Sequence, residues 1–436
     1  MKSSNPKVSV GDLRSVAIGL AVDRRYISLL HFLDEIVRNA ELSASRGNFM
    51  KIIEVATCLY EVSGEVALRD NPDVLHYFVE ADAKLIRILI KDTSVPTLAG
   101  TDSLMTMIVS DSTRHMSSGD TFLQRRAANC LRLYPTFAAA AITQPNRFEQ
   151  LLDNIPEMML LMLRQNLFDD YQQLGGNIID MLDRLIAFRG HVEGYPPLET
   201  SLGLFFLRCA STHEEVALDH DDRWKTRLDN DLAVQRVLAR QAYQLDMKEA
   251  GLDFLKAEFV AFQKNSNLIT ELVHGLMAHT EMLIDDNPEF VKARIFPYWR
   301  AAFETSSIDF HLLLQFVSLL ARHGIQQGYR EFLIAGIDSL LTMIAFLVRD
   351  PWQDYHRKYY GLFFAFFIFI RAAETALSER MIQRLTDLRS KVPDGEWPAV
   401  EHQTRVFAQS FHGFTPSEAQ FQQAWRFVRG TESGNL

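Results

Sequence analysis

The chain has 436 residues, of which 47% are hydrophobic and 23% are charged, as is usual for a globular protein. This composition excludes a disordered chain, and the length suffices for two or three hydrophobic cores. The formal net charge of -10 and the pI near 5.7 argue against a general nucleic-acid binder, because such a protein needs a basic face to neutralise phosphates.

The N-terminal segment and the cysteines both favour a cytoplasmic protein. Charged residues between Asp12 and Arg24 interrupt the apolar runs near the N-terminus, so we expect no export signal. Cys58, Cys130 and Cys209 lie more than 70 residues apart, which excludes a CxxC pair or a zinc-site spacing. Any pairing would leave an odd thiol, and this pattern suits a reducing compartment.

Apolar residues recur at helical intervals along nearly the whole chain, and no run alternates as a strand would. We therefore predict an all-α protein. Three prolines that follow a capping Asn or Asp mark helix starts, namely Pro72, Pro288 and Pro351. The sequence Thr415-Pro416-Ser417-Glu418 predicts a capping box at a further helix start.

The predicted helices cover most of the chain. The first half holds helices at about residues 11–42 with a break near Asp23, 47–63, 72–92, 101–115, 119–133, 136–142, 145–153, 156–188 with a break near Phe168, and 198–210. The second half holds helices at about residues 230–264, 266–285, 288–304, 307–323, 328–348, 351–377, 378–391, 397–412 and 416–429.

Short connections between these helices favour antiparallel neighbours, so we expect stacked helical hairpins. No fixed repeat period holds in the sequence, which leaves an irregular α-solenoid-like array or a two-lobed helical array. We expect an N-terminal lobe at residues 1–190, a polar linker or insertion with one apolar helix at 191–231, and a C-terminal lobe at 232–436. Gly175-Gly176 inside a predicted helix indicates a kink or a close helix contact.

The polar interval between the lobes contains residues that could bind a divalent metal ion. The candidates are His213, Glu214, His220 and Asp222, which are suitable ligand types for a hard or borderline cation. Their spacing matches no known metal motif, and charged residues between helices usually form a solvated loop. We therefore expect no cofactor, with these four residues as candidates for a metal site.

The most apolar part of the chain, residues 331–376, predicts either a membrane hairpin or a buried helix pair. Glu331, Asp338, Thr342 and Arg349 are spaced 7, 4 and 7 residues apart, which places them on one line along a helix, as an amphipathic surface requires. The uninterrupted apolar lengths are about 26 Å and 18 Å, shorter than a hydrocarbon core of about 30 Å. We therefore predict a buried pair without a transmembrane span.

One part of the second apolar helix predicts close packing. Gly361, Ala365, Ala372 and Ala376 recur at steps of 4, 7 and 4 residues, so they form a face of small side chains along which another helix can approach closely.

Arg349 and His356 resemble the Arg-to-His motif of the HEPN ribonucleases, which are all-helical. Six residues separate the two, and the polar Asp350 directly follows the arginine, as is frequent in that motif. The resemblance covers eight residues and does not identify a family. It implies that Arg349 polarises a phosphate and that His356 serves as the acid/base group.

Several aromatic and arginine side chains are of the types that dominate protein interfaces. As candidates for partner binding we predict Tyr298, Trp299, Arg300, Trp352, Phe421 and Trp425. The same side chains would also serve as core residues.

The absence of a specific catalytic constellation leads to three functional hypotheses. The first is a non-enzymatic helical scaffold or adaptor in the cytoplasm that binds another protein or a second copy of itself. The second is an enzyme, either a metal-dependent hydrolase or a HEPN-like ribonuclease using Arg349 and His356. The third is peripheral membrane association through the apolar helix pair at residues 331–376.

Overall fold

The computed structural model describes residues 10–65, 68, 71–89, 91–92, 95–116, 118–191, 198–217, 222–305, 354–372, 379–410 and 416–431. Every regular element in these ranges is a helix, and none of them contains a strand. The prediction of an all-α protein is therefore confirmed.

The chain divides into two compact units, Met1–Phe254 and Leu255–Leu436. The division falls within one helix and lies beyond the predicted interval at residues 191–231. Two helices of that interval and its C-terminal flank, Glu199–Ala217 and Trp224–Gln244, pack against each other inside the first unit.

Helices of 7 to 24 residues build the first unit, in the order α1 (Val10–Val22), α2 (Tyr26–Ala44), α3 (Phe49–Ser63), α4 (Pro72–Leu89), α5 (Val95–Met116), α6 (Thr121–Leu131), α7 (Tyr134–Ala140), α8 (Pro145–Leu152), α9 (Ile155–Arg164), α10 (Phe168–His191), α11 (Glu199–Ala217) and α12 (Trp224–Gln244). Helices that are close in sequence pack together, with α1 on α2, α3 on α4, α5 on α6 and α11 on α12. This packing confirms the predicted array of helical hairpins.

Three tight turns between helices share one geometry, in which a residue other than glycine has a positive φ. These residues are Arg24, Asn166 and Asp246, with φ of 55°, 57° and 62°. At each turn the next amide reaches back into the preceding helix, as when the N–H of Leu167 donates to the carbonyl of Met162 over 3.0 Å. This pattern is the Schellman motif, which satisfies carbonyls at a helix end and reverses the chain.

The turns at Arg24 and Asn166 confirm the predicted breaks near Asp23 and Phe168. The helix predicted at residues 230–264 is instead two helices, α12 and α13 (Lys248–Lys264), and Asp246 lies between them. The prediction of one continuous helix is therefore wrong there, because no glycine or proline in the sequence marks this turn.

The second unit begins within α13 and continues with a 3-10 turn (Ser266–Leu268), α14 (Ile269–Leu283) and α15 (Pro288–Phe290). A π-helical segment, Val291–Ile295, joins α15 to α16 (Phe296–Thr305). The remaining described helices are α17 (Asp354–Ala372), α18 (Glu379–Lys391), α19 (Trp397–Ser410) and α20 (Glu418–Arg429). Residues 306–353 and 373–378 lie outside the described part of the chain.

The predicted capping box before the last helix has a different register. Ser417 is the N-cap of α20 and accepts a hydrogen bond from the backbone N–H of Gln420, whose side chain in turn accepts from the N–H of Ser417. The box therefore joins Ser417 and Gln420, because the helix begins two residues later than the sequence pattern indicated.

Helix α17 is the described part of the apolar segment at residues 331–376, and its side chains from Tyr359 to Ile368 are all buried. It packs against α19 and α20. A Cβ atom at Gly361 would lie 2.9 Å from the backbone carbonyl carbon of Gln403, so glycine is required for this approach. The predicted close packing on the small-residue face is confirmed at Gly361. Among the described helices, none combines the length and hydropathy that crossing a membrane requires.

Candidate functional site

A surface pocket of about 510 Å³ lies where α3, α5 and α6 meet in the first unit. Its walls carry five charged side chains, of both signs, and two of its members, Tyr60 and Arg126, are buried. The lining residues are Tyr60, Glu61, Gly64, Glu65, Met107, Ser110, Asp111, Arg114 and Arg126.

Arg126 of α6 is fixed by three hydrogen bonds to two neighbouring helices. Its Nε donates to the hydroxyl of Ser63 over 2.9 Å, and one Nη donates to the carbonyl of Tyr60 over 2.8 Å. The other Nη donates to Asp111 over 3.2 Å. The guanidinium also lies 4.2 Å from the centre of the Tyr60 ring, a cation–π contact. The charge is therefore held in one position before any ligand arrives.

Asp111 of α5 is the anionic partner in this site. It accepts a hydrogen bond from the Tyr60 hydroxyl over 2.7 Å, and its other oxygen lies 3.1 Å from Nε2 of His115. Burial raises the pKa of this carboxyl, but the Tyr60 hydrogen bond, His115 and Arg126 together lower it below its ordinary value. Asp111 therefore stays ionised at neutral pH and orients both Tyr60 and Arg126.

The pKa of a second carboxyl near Arg126 shifts in the opposite direction. Asp82 of α4 is buried, and its Oδ1 accepts no hydrogen bond within the described structure. Burial raises its pKa well above 3.8, and the nearby Arg126 opposes this rise. Burial likewise raises the pKa of the neighbouring Cys130 thiol, to about 12. Both groups favour their neutral forms, which leaves Arg126 and Asp111 as the charged pair of the site.

Gly64 gives the guanidinium its space beside the pocket. A Cβ atom at this position would lie 3.0 Å from Cζ of Arg126, so a larger residue would press on the arginine. The site thus consists of a preorganised cation, an oriented carboxylate and an open volume. This arrangement can bind a charged group, because Arg126 is fixed at the wall of the open volume. Burial raises the pKa of Tyr60, so its hydroxyl keeps its proton and donates a hydrogen bond to Asp111.

A second polar cluster is buried and joins α10, α11 and α12. Asp231 accepts hydrogen bonds from the Tyr171 hydroxyl over 2.9 Å and from the Gln235 amide over 3.1 Å, and its other oxygen lies 2.7 Å from Nδ1 of His213. All four side chains are buried. The cluster is sealed from solvent, so it ties the helices together and is not accessible to a substrate.

The predicted metal ligands lie in different environments, and His213 is the one that belongs to this cluster. His213 contacts Asp231 in the interior, whereas Asp222 is exposed in a turn and Glu214 is half-buried on α11. His220 lies outside the described residues. Within the described residues, no three side chains suited to a metal ion come together.

The residues of the HEPN-like motif are described only in part. His356 is buried on α17, and Arg349 lies outside the described residues. The pair stays a prediction.

The predicted partner-binding residues occupy different environments. The Trp299 indole is buried and donates to the Thr280 hydroxyl over 3.1 Å, whereas Tyr298 is half-buried and Arg300 is exposed. Phe421 and Trp425 are buried and stack on each other, with ring centres 6.2 Å apart. Trp352 lies outside the described residues. The two tryptophans and Phe421 thus contribute to the core of the second unit.

Sequence reasoning missed Tyr60, Asp111 and Arg126, the residues that form the site. Asp111 and His115, four residues apart on one helix face, were the only local signal. Tyr60 and Arg126 lie 66 residues apart in sequence, and Tyr60 and Asp111 lie 51 apart, so no short motif joins the three residues.

Comparison with known proteins gives no family for this chain. No protein-family model matches it, and no curated protein matches its sequence. Among solved structures, it is similar to a circular tandem repeat protein with novel repeat topology and enhanced subunit contact surfaces. The identity is 12% over 98% of both chains, and the TM-score of 0.29 is too low to establish a shared fold.

Proposed function

We propose that this chain is a non-enzymatic helical scaffold that binds another protein through its first two helices. The observation that carries the proposal is the distribution of exposed large hydrophobic side chains. Of the nine found among the described residues, five lie on α1 and α2, namely Val16, Val22, Ile27, Leu30 and Leu42, and a sixth, Met50, lies at the start of α3. A concentration of exposed apolar side chains usually marks an interaction site. On a monomer without such a site, exposed apolar side chains are normally scattered singly over the surface.

Two of these side chains lie on either side of the turn between α1 and α2, and one of them is the most exposed of the set. Val22 ends α1 and is 52% exposed, and Ile27, in the first turn of α2, is 75% exposed. The outer helix of a helical array is usually polar on its free face, because that face meets water. Here Ile18 and Leu20 of α1 are also half-exposed, which favours a partner that covers this end of the hairpin.

The test compares two pairs of serine substitutions. The Val22→Ser/Ile27→Ser variant removes apolar area at the α1–α2 turn, and the control Leu204→Ser/Leu207→Ser removes two similarly exposed side chains from α11. We expect the first variant to bind the partner protein with an affinity at least tenfold lower, or about 1.4 kcal/mol weaker, than wild type. The control should leave the affinity unchanged.

Affinity purification of the tagged chain followed by calorimetry with the isolated partner gives the measurement. Light scattering during size-exclusion chromatography shows whether the partner is a second copy of the chain. A wild-type chain that remains monomeric and retains no stoichiometric protein would contradict the proposal. So would turnover of RNA by the isolated chain that His356→Ala abolishes, since this is the result expected of the nuclease hypothesis.

We also propose a cytoplasmic location. The three cysteines are free and buried, which is compatible with a reducing compartment.

A further inference from the structure

The pocket beside Arg126 contains one charge of each sign that no described residue compensates. Of the five charged lining residues, Glu65 forms an ion pair with Arg14, and Asp111 forms one with Arg126. The other two are Glu61 and Arg114. Each is exposed, and neither forms a hydrogen bond or an ion pair with a described residue.

Arg126 adds further donors to the same space. A guanidinium carries five N–H groups, and Ser63, Asp111 and the Tyr60 carbonyl take one each. Each terminal nitrogen therefore keeps one N–H that no described residue accepts. Because the guanidinium is buried and fixed, a ligand that accepts these hydrogen bonds loses little conformational entropy on the protein side.

The volume suits a small molecule. About 510 Å³ lies within the usual range for ligand pockets, roughly 300 to 1,000 Å³. Met107 supplies an apolar side chain to the wall, and Ser110 supplies a hydroxyl. The pocket therefore offers a cationic side, an anionic side and one apolar contact.

We propose that this pocket binds a free amino acid, with its carboxylate at Arg114 and Arg126 and its ammonium group at Glu61. A simple anion would leave Glu61 uncompensated beside it, and a simple cation would leave Arg114 uncompensated. A zwitterion pairs both charges at once, so it matches the pocket better than either.

The experiment is calorimetric titration of the full chain with each standard L-amino acid in turn. For the tightest ligand, the same titration is repeated with its analogue lacking the amino group and with its analogue lacking the carboxyl group. We expect each analogue to bind about tenfold more weakly or worse, because a hydrogen bond to a charged group is lost.

Substitutions assign each charge to its side chain. Arg114→Gln should reduce the difference in affinity between the amino acid and the analogue without the carboxyl group, because Arg126 alone then binds the carboxylate. Glu61→Gln should bind the amino acid no better than it binds the analogue without the amino group. The matched controls, Arg38→Gln and Glu41→Gln, change exposed residues of α2 and should keep wild-type affinity. Both pocket residues are exposed, so the variants should keep the wild-type circular dichroism spectrum.

Three results would overturn the proposal. The first is that none of the standard L-amino acids gives a measurable heat of binding. The second is an analogue without the amino group that binds as tightly as the amino acid, which would show a plain anion site. The third is binding that survives both pocket substitutions, since the ligand would then occupy another part of the protein.

Discussion

The interior of the first unit contains a carboxyl group that folding forces into its neutral form. Asp82 is buried with an unpartnered Oδ1, and its pKa rises well above 3.8 because burial disfavours the charged form. The folded state thus keeps a proton on this carboxyl to a higher pH than the unfolded state does. Stability from this residue is greatest below pH 3.8 and declines as the pH rises toward the raised pKa.

Replacing Asp82 with Asn should therefore stabilise the protein at pH 7. An amide needs no proton to enter the core, so we expect the free energy of unfolding to rise by about 1 kcal/mol. The measurement is urea unfolding followed by circular dichroism, at pH 7 and again at pH 4. At pH 4 the gain should shrink, because the wild-type carboxyl then costs less to protonate. A variant that is less stable than wild type at pH 7 would show that Asp82 is ionised and paired.

At the scale of helices, the contact between α17 and α19 depends on the absence of one methyl group. A Cβ atom at Gly361 would lie 2.5 Å from Cβ of Gln403 and 3.0 Å from the backbone nitrogen of Thr404. Backbone atoms cannot rotate away as a side chain does, so the helices would have to separate. Ala at this position would also disturb the buried aromatic residues of α17.

We expect Gly361→Ala to destabilise the protein by about 1 to 3 kcal/mol, which is the usual cost of overpacking. The comparison is Gly176→Ala in α10, where a Cβ atom would meet nothing within 4 Å. That change should stabilise by about 0.5 to 1 kcal/mol, because alanine has the better helix propensity. Thermal unfolding of both variants gives the measurement, and equal effects of the two substitutions would contradict the packing argument.

Helices were predictable where the signal is local. The 3.6-residue period gave the helix class, Pro72 and Pro288 marked helix starts, and the small-residue spacing anticipated the close approach at Gly361. The turn at Asp246 was missed, because an aspartate with positive φ has no distinctive sequence.

The candidate site was not predictable for a different reason. Tyr60, Asp111 and Arg126 come from three helices, and only the packing of those helices brings them together. A buried arginine also looks like any surface arginine in a sequence, because charged residues usually face water.

At the scale of the molecule, the two compact units should respond separately to changes in their interiors. Arg126 connects α6 to α3 and α5 within Met1–Phe254. Arg126→Met removes the hydrogen bonds to Ser63 and to the Tyr60 carbonyl, and it takes the ion-pair partner from Asp111. We expect a loss of about 3 kcal/mol, as for a buried ion pair that loses one partner.

Hydrogen exchange read by mass spectrometry locates this loss. Protection should fall in helices α3 to α6 and stay at the wild-type level in residues 255–436, because each unit has its own core. Arg38→Met on the exposed face of α2 is the control and should change protection nowhere. Reduced protection in the second unit would show that the two units unfold together.

The placement of the three thiols gives this chain a built-in probe of opening. Cys58, Cys130 and Cys209 form no disulfide, are buried and belong to the first unit, and burial raises the pKa of each. An alkylating reagent attacks the thiolate, so it reacts only when a helix moves aside and lets water in. The alkylation rate of each cysteine in the unaltered protein therefore reports local opening around that cysteine, within Met1–Phe254 alone.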